Sequence, residues 1–188
     1  MGFLSKLFSN TVFTYKPDFS KTEYDNWLEY MHVGGTTAEW KELKKQNNWK
    51  FRPDPLEKFS KYNSEYKPIF SEYSALLSAI KEQWSILYKS GNYTSRLAKA
   101  VEKNCINAIS YFQKLQTIDQ KYNQKPLSGS PAFTKLALLY ERQGDYENSI
   151  SICKIACHFG VDESARLKRM IKKAGRTPNP EELKLIDN

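Results

Sequence analysis

Apolar residues recur at steps of three and four along most of this chain, the period of a helix that buries one face. The longest run covers 55–90. Phe59, Tyr62, Tyr66, Ile69, Tyr73, Leu76, Ile80 and Leu87 keep the beat, Gln83 misses one, and Trp84 fills beside it. Pro68 lacks a backbone donor and clashes with the preceding turn, so the run is expected to split into helices at about Pro55–Tyr66 and Pro68–Lys89. A second long stripe, about Thr94–Tyr122, carries Leu97, Ala100/Val101, Ile106, Ala108/Ile109, Phe112 and Leu115. Upstream, Tyr24, Trp27, Leu28 and Met31 predict one inward face over about Lys21–Met31. Trp40 and Leu43 predict another over about Thr36–Gln46. Ser20 or Thr22, and Thr36 or Thr37, stand where N-caps belong.

The stretch 131–160 has the clearest pattern. Phe133, Leu136, Ala137 and Tyr140 share one helix face; Tyr146, Ile150, Cys153 and Ala156/Cys157 share the next. Gly144 can take the positive φ that ends a helix, Asp145 can cap the one that follows, and Gly160 supplies its stop. Ser130-Pro131, at the end of the Pro-, Ser- and Gly-rich linker 123–131, is a cap with proline at the first helical position. Two amphipathic helices joined by so short a turn must pack antiparallel. A last helix, about Glu163–Ala174, turns Leu167, Met170, Ile171 and Ala174 inward. The tail, Thr177–Asn188, is expected to fray or to form a short helical turn.

The hairpin resembles a tetratricopeptide repeat over about residues 130–163. Phe133, the large-small pair Leu136-Ala137, Tyr140, the turn Gly144-Asp145-Tyr146 and Ala156 carry the likeness. Ser149 stands where Ala is usual, Cys153 where an aromatic is usual, and Val161 in place of the closing proline. Ser90-Gly91-Asn92-Tyr93 echoes the turn upstream, but the two glycines lie farther apart than the family's period of about 34 residues. The expectation is therefore an all-α fold, an irregular antiparallel stack of helical hairpins with about seven helices. Its sections are an aromatic-rich 1–54, a long-helix hairpin 55–125 and a repeat-like hairpin with a basic capping helix 126–188, together one compact unit.

The 188 residues suffice to bury a core. Aromatic content of 14% assigns much of that core to Tyr and Phe, and no stretch approaches the length of a membrane span. At Met1–Phe13, Phe3/Leu4, Leu7/Phe8 and Val12 form a short amphipathic pattern. Polar interruptions exclude a secretory signal, and Lys6 breaks the myristoylation pattern. It reads as a terminal element covering the core, with a membrane-surface anchor or a partner-docking segment as the sharper alternative. Three cysteines, an odd number, with Cys153 and Cys157 one helical turn apart, favour a reducing, cytoplasmic setting.

The net charge of +8 allows attraction to nucleic acid, anionic membrane or an acidic partner, or simply keeps the protein in solution. Trp27, Trp40, Trp49 and Phe51 interleave with Lys41, Lys44, Lys45, Lys50 and Arg52. That mixture suits a stacking surface for single strands, or a small core built of rings with lysines outside; the second reading is preferred. Arg166, Lys168, Arg169, Lys172, Lys173 and Arg176 follow one another with no acid among them.

Catalytic chemistry finds little footing. His32 and His158 are the only histidines, and GxSxG, HExxH, P-loop and GxGxxG motifs are absent. Cys153 and Cys157 could share a metal, but His158 is turned about 100° away on the same helix. Both thiols read as small apolar residues of the hairpin interface. Pro17-Asp18 with Glu42-Leu43-Lys44 spells the letters of a PD-(D/E)xK nuclease, yet Glu42 and Lys44 fall in a helical pattern. No catalytic residue, metal ligand or cofactor is therefore expected.

The expected function is a non-enzymatic module binding a protein or peptide. The tetratricopeptide likeness implies a groove built from the first helix of each pair. It assigns Thr134, Leu138, Glu141 and Arg142 from the hairpin, with Lys81, Ser85, Tyr88 and Lys89 from the helix before Gly91. A basic groove would prefer an acidic peptide. The alternative is nucleic-acid binding by Arg166, Lys168, Arg169, Lys172 and Lys173. The apolar seam at 59–87 leaves room for a homodimer.

Overall fold

The computed structural model describes residues 15–187. The amphipathic segment at Met1–Phe13 lies outside them. Among the described residues there are eight α-helices and no strand, so the all-α expectation holds. None of these helices is long and apolar enough to cross a membrane. The chain divides into two units, Met1–Ser60 and Lys61–Asn188.

The first unit holds α1 (Glu23–His32) and α2 (Thr37–Asn47). Each starts on a capping box. Thr22 and Asp25 satisfy each other's backbone N–H groups at α1, and Thr36 and Glu39 do so at α2. The inward face of α1 differs from the one its spacing suggests. Asn26 and Tyr30 are buried, whereas Tyr24 and Leu28 are exposed. The cause is the segment before the helix, which needs polar partners. Asn26 Oδ1 accepts from the backbone N–H of Asp18 (2.7 Å) and from the Tyr15 hydroxyl (3.1 Å). Its Nδ2 donates to the carbonyls of Asp18 and Thr22. These four bonds use every hydrogen-bonding position of the buried amide. Tyr30 joins Tyr15, Trp40 and Trp49 in a cluster of rings with centroids 5.4–6.4 Å apart. Gly35 lies flat against the Tyr30 ring, where any Cβ would collide with it.

In the second unit the helices run α3 (Pro55–Ser90), whose first turns fall in the first unit, then α4 (Arg96–Lys121), α5 (Pro131–Gln143), α6 (Tyr146–His158), α7 (Ser164–Lys173) and α8 (Pro180–Ile186). The expected break at Pro68 does not occur; α3 passes through it. Proline in a helix interior costs about 3 kcal/mol. Contacts on both sides of Pro68 hold the helix regardless. The Tyr62 hydroxyl donates to Asp119 (2.8 Å), Lys121 and Tyr122 donate to Glu65, and the Tyr73 hydroxyl donates to Ser130 (2.9 Å). Pro68 itself is exposed, so its missing donor leaves no buried carbonyl stranded among apolar groups.

From α4 onward each helix packs against the next. One core cluster joins α3, α4 and α5 through Trp84, Leu87, Phe112, Leu115, Phe133 and Leu139. A second joins α5, α6 and α7 through Ala137, Ile150, Cys153, Leu167 and Met170. Helix α5 is thus apolar on two sides. Phe133, Leu136 and Ala137 of the expected stripe are buried, and so is Leu139, outside it. The unusual Ser149 is fully buried, and its hydroxyl donates to the Ala137 carbonyl at 2.8 Å, a bond no alanine could make. The linker is held too: Asp119 Oδ2 accepts from the Leu127 N–H, and Gln116 donates to the Leu127 carbonyl.

Candidate functional site

Helix α5 begins on Ser130, whose hydroxyl accepts from the Ala132 N–H and is itself reached by Tyr73 from α3. That double anchor sets the start of α5 beside the middle of α3 and leaves a cleft of about 360 Å3 between them. From α3 it is lined by Ser74, Leu77, Ser78, Ile80, Lys81 and Trp84, and from α5 by Pro131, Ala132 and Lys135. Ile80 and Trp84 are buried in the core, and Leu77 is half-buried, so the lining is mostly apolar. The two cations differ in posture. Lys135 Nζ sits 5.0 Å from the centre of the Trp84 ring, a cation–π contact, and Lys81 is exposed. A second depression on α3, lined by Ser78, Lys81, Glu82, Ser85 and Ile86, shares Lys81 with the first. Ile86 leaves 59% of its surface exposed there.

The residues expected to form a partner groove fall into two groups. Lys81 and Ser85 line these openings, and Tyr88 and Lys89 continue the exposed surface of α3. On α5 the four expected residues make internal contacts. Leu138 packs against the first core cluster, and the Thr134 carbonyl accepts from Arg166 Nη1 at 3.1 Å. The Arg142 guanidinium lies 6.0 Å from the centre of the Tyr93 ring.

Glu141 is the hub of an ionic network with α7. Arg169 Nη2 is 2.9 Å and Lys173 Nζ 3.1 Å from its carboxylate, and Arg166 Nε is 3.4 Å away. Arg166 also pairs with Glu163 at 3.1 Å. The Glu141 side chain is only 11% exposed. Burial alone would raise its pKa, but the hydrogen bonds from Arg169 and Lys173 outweigh this and hold it below the usual carboxylate range. Arg176 forms two 2.8 Å bonds to Glu182 and a third contact, 3.1 Å, to Glu147. Of the cations expected to meet nucleic acid, Arg166, Arg169 and Lys173 are therefore bound to carboxylates of the chain itself. Lys168 and Lys172 are exposed and have no such partner among the described residues.

Lys135 and Trp84 are the functional candidates that the family likeness misses. Trp84 interrupts a regular stripe, and Lys135 lies one turn into a proline-started helix; only the α3–α5 approach brings them together.

The cysteines are all unpaired. Burial pushes the Cys105 and Cys153 thiols up to about 12, so both stay protonated and poorly nucleophilic at neutral pH. Among the described residues no three His, Cys, Asp or Glu side chains converge as a metal site. Comparison with protein-family models, curated proteins and solved structures finds no match to this chain.

Proposed function

We propose that this protein is a non-enzymatic interaction module whose α3–α5 cleft binds an acidic peptide segment carrying one apolar anchor. The observation that carries the reading is the cleft itself: an apolar floor of Ile80 and Trp84 with Lys81 and Lys135 beside it. An apolar side chain entering it would displace water from Leu77 and the Trp84 edge. Flanking carboxylates would meet Lys81 and Lys135. Peptide recognition by helical surfaces commonly takes this form, with apolar anchors for affinity and charge for register. The tetratricopeptide likeness of the α5–α6 hairpin supports the same class of function, with α6 packed behind α5. Three unpaired thiols suit a reducing compartment such as the cytoplasm.

Nucleic-acid binding by α7 is the weaker reading. It has Lys168 and Lys172 to offer, and engaging the remaining cations would first require breaking their bonds to Glu141 and Glu163.

Selection from a random peptide display library on the immobilised full chain tests the proposal. Recovered peptides should be enriched in Asp and Glu around a Leu, Phe or Trp. Recovery of basic peptides, or of none above background, would sink it.

A further inference from the structure

The first unit holds an opening of about 610 Å3 between α1, α2 and the segment 49–57, unrelated to the α3–α5 cleft. Its lining combines rings and cations in a way that core packing does not explain. The core of this unit is Tyr30 and Trp40, 5% and 3% exposed. Tyr24, by contrast, stays 58% exposed beside half-buried Trp27, the two rings 5.5 Å apart and tilted by 37°. Trp49, also half-buried, completes the aromatic lining with Phe51.

Lys41, Lys44, Lys50 and Arg52 line the same opening, and so do Glu23, Asp54 and Glu57. The acids are largely committed. Glu23 pairs with Lys44, Asp54 accepts from the Leu56 N–H at the start of α3, and Glu57 sits in the first turn of α3, where the helix dipole favours a carboxylate. Lys41, Lys50 and Arg52 remain exposed and without a carboxylate partner among the described residues.

We infer that this opening binds single-stranded nucleic acid, with an unpaired base stacked on Tyr24 and Trp27 and backbone phosphates held by Lys41, Lys50 and Arg52. Each half of the site selects the ligand. Partly uncovered rings reward a planar π-face, which a base offers only outside a duplex. Unpaired cations around the rings reward a phosphate chain. A purely apolar ligand would make no use of the three cations. An acidic peptide would satisfy them but bring no planar ring for every residue bound. The volume accommodates a small ligand or one to two bases of a longer strand, in the ordinary range of about 300–1,000 Å3 for binding sites.

The test is fluorescence polarisation of a labelled oligothymidylate of about 12 nucleotides, mixed with the full chain at several salt concentrations. The expected result is saturable binding, with log affinity falling against log salt at a slope of about −2, as for three phosphate contacts on a single strand. Trp27→Ala should weaken it roughly 5- to 100-fold. Lys50→Glu, an exposed change that leaves the rings in place, should weaken it and flatten the salt slope. A Lys168→Glu/Lys172→Glu double variant should bind as the wild type does. The inference is overturned if the wild-type chain does not bind. It is equally overturned if Trp27→Ala and Lys50→Glu both bind undiminished, or if thymidine monophosphate binds as tightly as the oligomer.

Discussion

Glu141 draws Arg169 and Lys173 onto one carboxylate, with Arg166 close by, and Glu182 does the same for Arg176 through two 2.8 Å bonds. These acids make α7 and α8 part of the fold rather than a loose basic tail. Glu182 is 2% exposed, and its hydrogen bonds from Arg176 lower its pKa from 4.5 to about 2, against a smaller opposing effect of burial. Glu141 is shifted in the same direction. A carboxylate with a depressed folded-state pKa stabilises the fold above its unfolded value, and that contribution disappears as pH falls through the folded one. Stability should thus decline from about pH 4.5 toward pH 2. Urea unfolding across that range should show a Glu182→Gln variant that is less stable at neutral pH and flatter below it. Parallel curves for the two proteins would contradict this assignment. Such residues cannot be picked out by periodicity. The caps Thr22, Thr36, Ser130 and Asp145 act within three residues and can be read locally. Glu141, Glu182 and Asn26 matter through partners contributed by other segments.

Among the elements, the hairpin α5–α6 forms where its stripes, its αL glycine and its capping aspartate place it, since all three signals are local. The tail also winds into a helix, α8, on the capping box of Asn179 and Glu182. Two elements follow tertiary rather than local physics. α1 turns Asn26 inward because the preceding segment needs hydrogen-bond partners. α3 continues through Pro68 because bonds donated by Tyr62 and Tyr73, and one accepted by Glu65, hold it on both sides. The proline is then a residual cost. Pro68→Ala should stabilise the protein by about 1–3 kcal/mol, by restoring a helical N–H and relieving the clash with the preceding turn. Chemical denaturation measures this directly. A destabilised variant would show that the proline sets a bend on which the packing depends.

For the molecule as a whole, the net charge of +8 is informative only once the paired cations are set aside. The densest basic run in the sequence, 166–176, is mostly spent on the chain's own carboxylates. Cations without a carboxylate partner among the described residues remain beside apolar or aromatic openings: Lys81, and Lys135 over the Trp84 ring, at the α3–α5 cleft, and Lys41, Lys50 and Arg52 in the first unit. The all-α class was readable because helical periodicity repeats through the chain. The cleft was not, because Trp84 and Lys135 lie far apart in sequence and meet only when α5 docks on α3.

The proposed site for an acidic peptide is the α3–α5 cleft and not the basic face of α7. The most direct test is the affinity of a display-selected acidic peptide for two double variants, Lys81→Glu/Lys135→Glu and Lys168→Glu/Lys172→Glu. Both reverse two charges and change the net charge equally. Loss of two favourable contacts and their replacement by repulsion should weaken binding to the first by roughly tenfold or more, while the second stays within about twofold of wild type. Equal losses in both, or a loss confined to the α7 variant, would contradict the account.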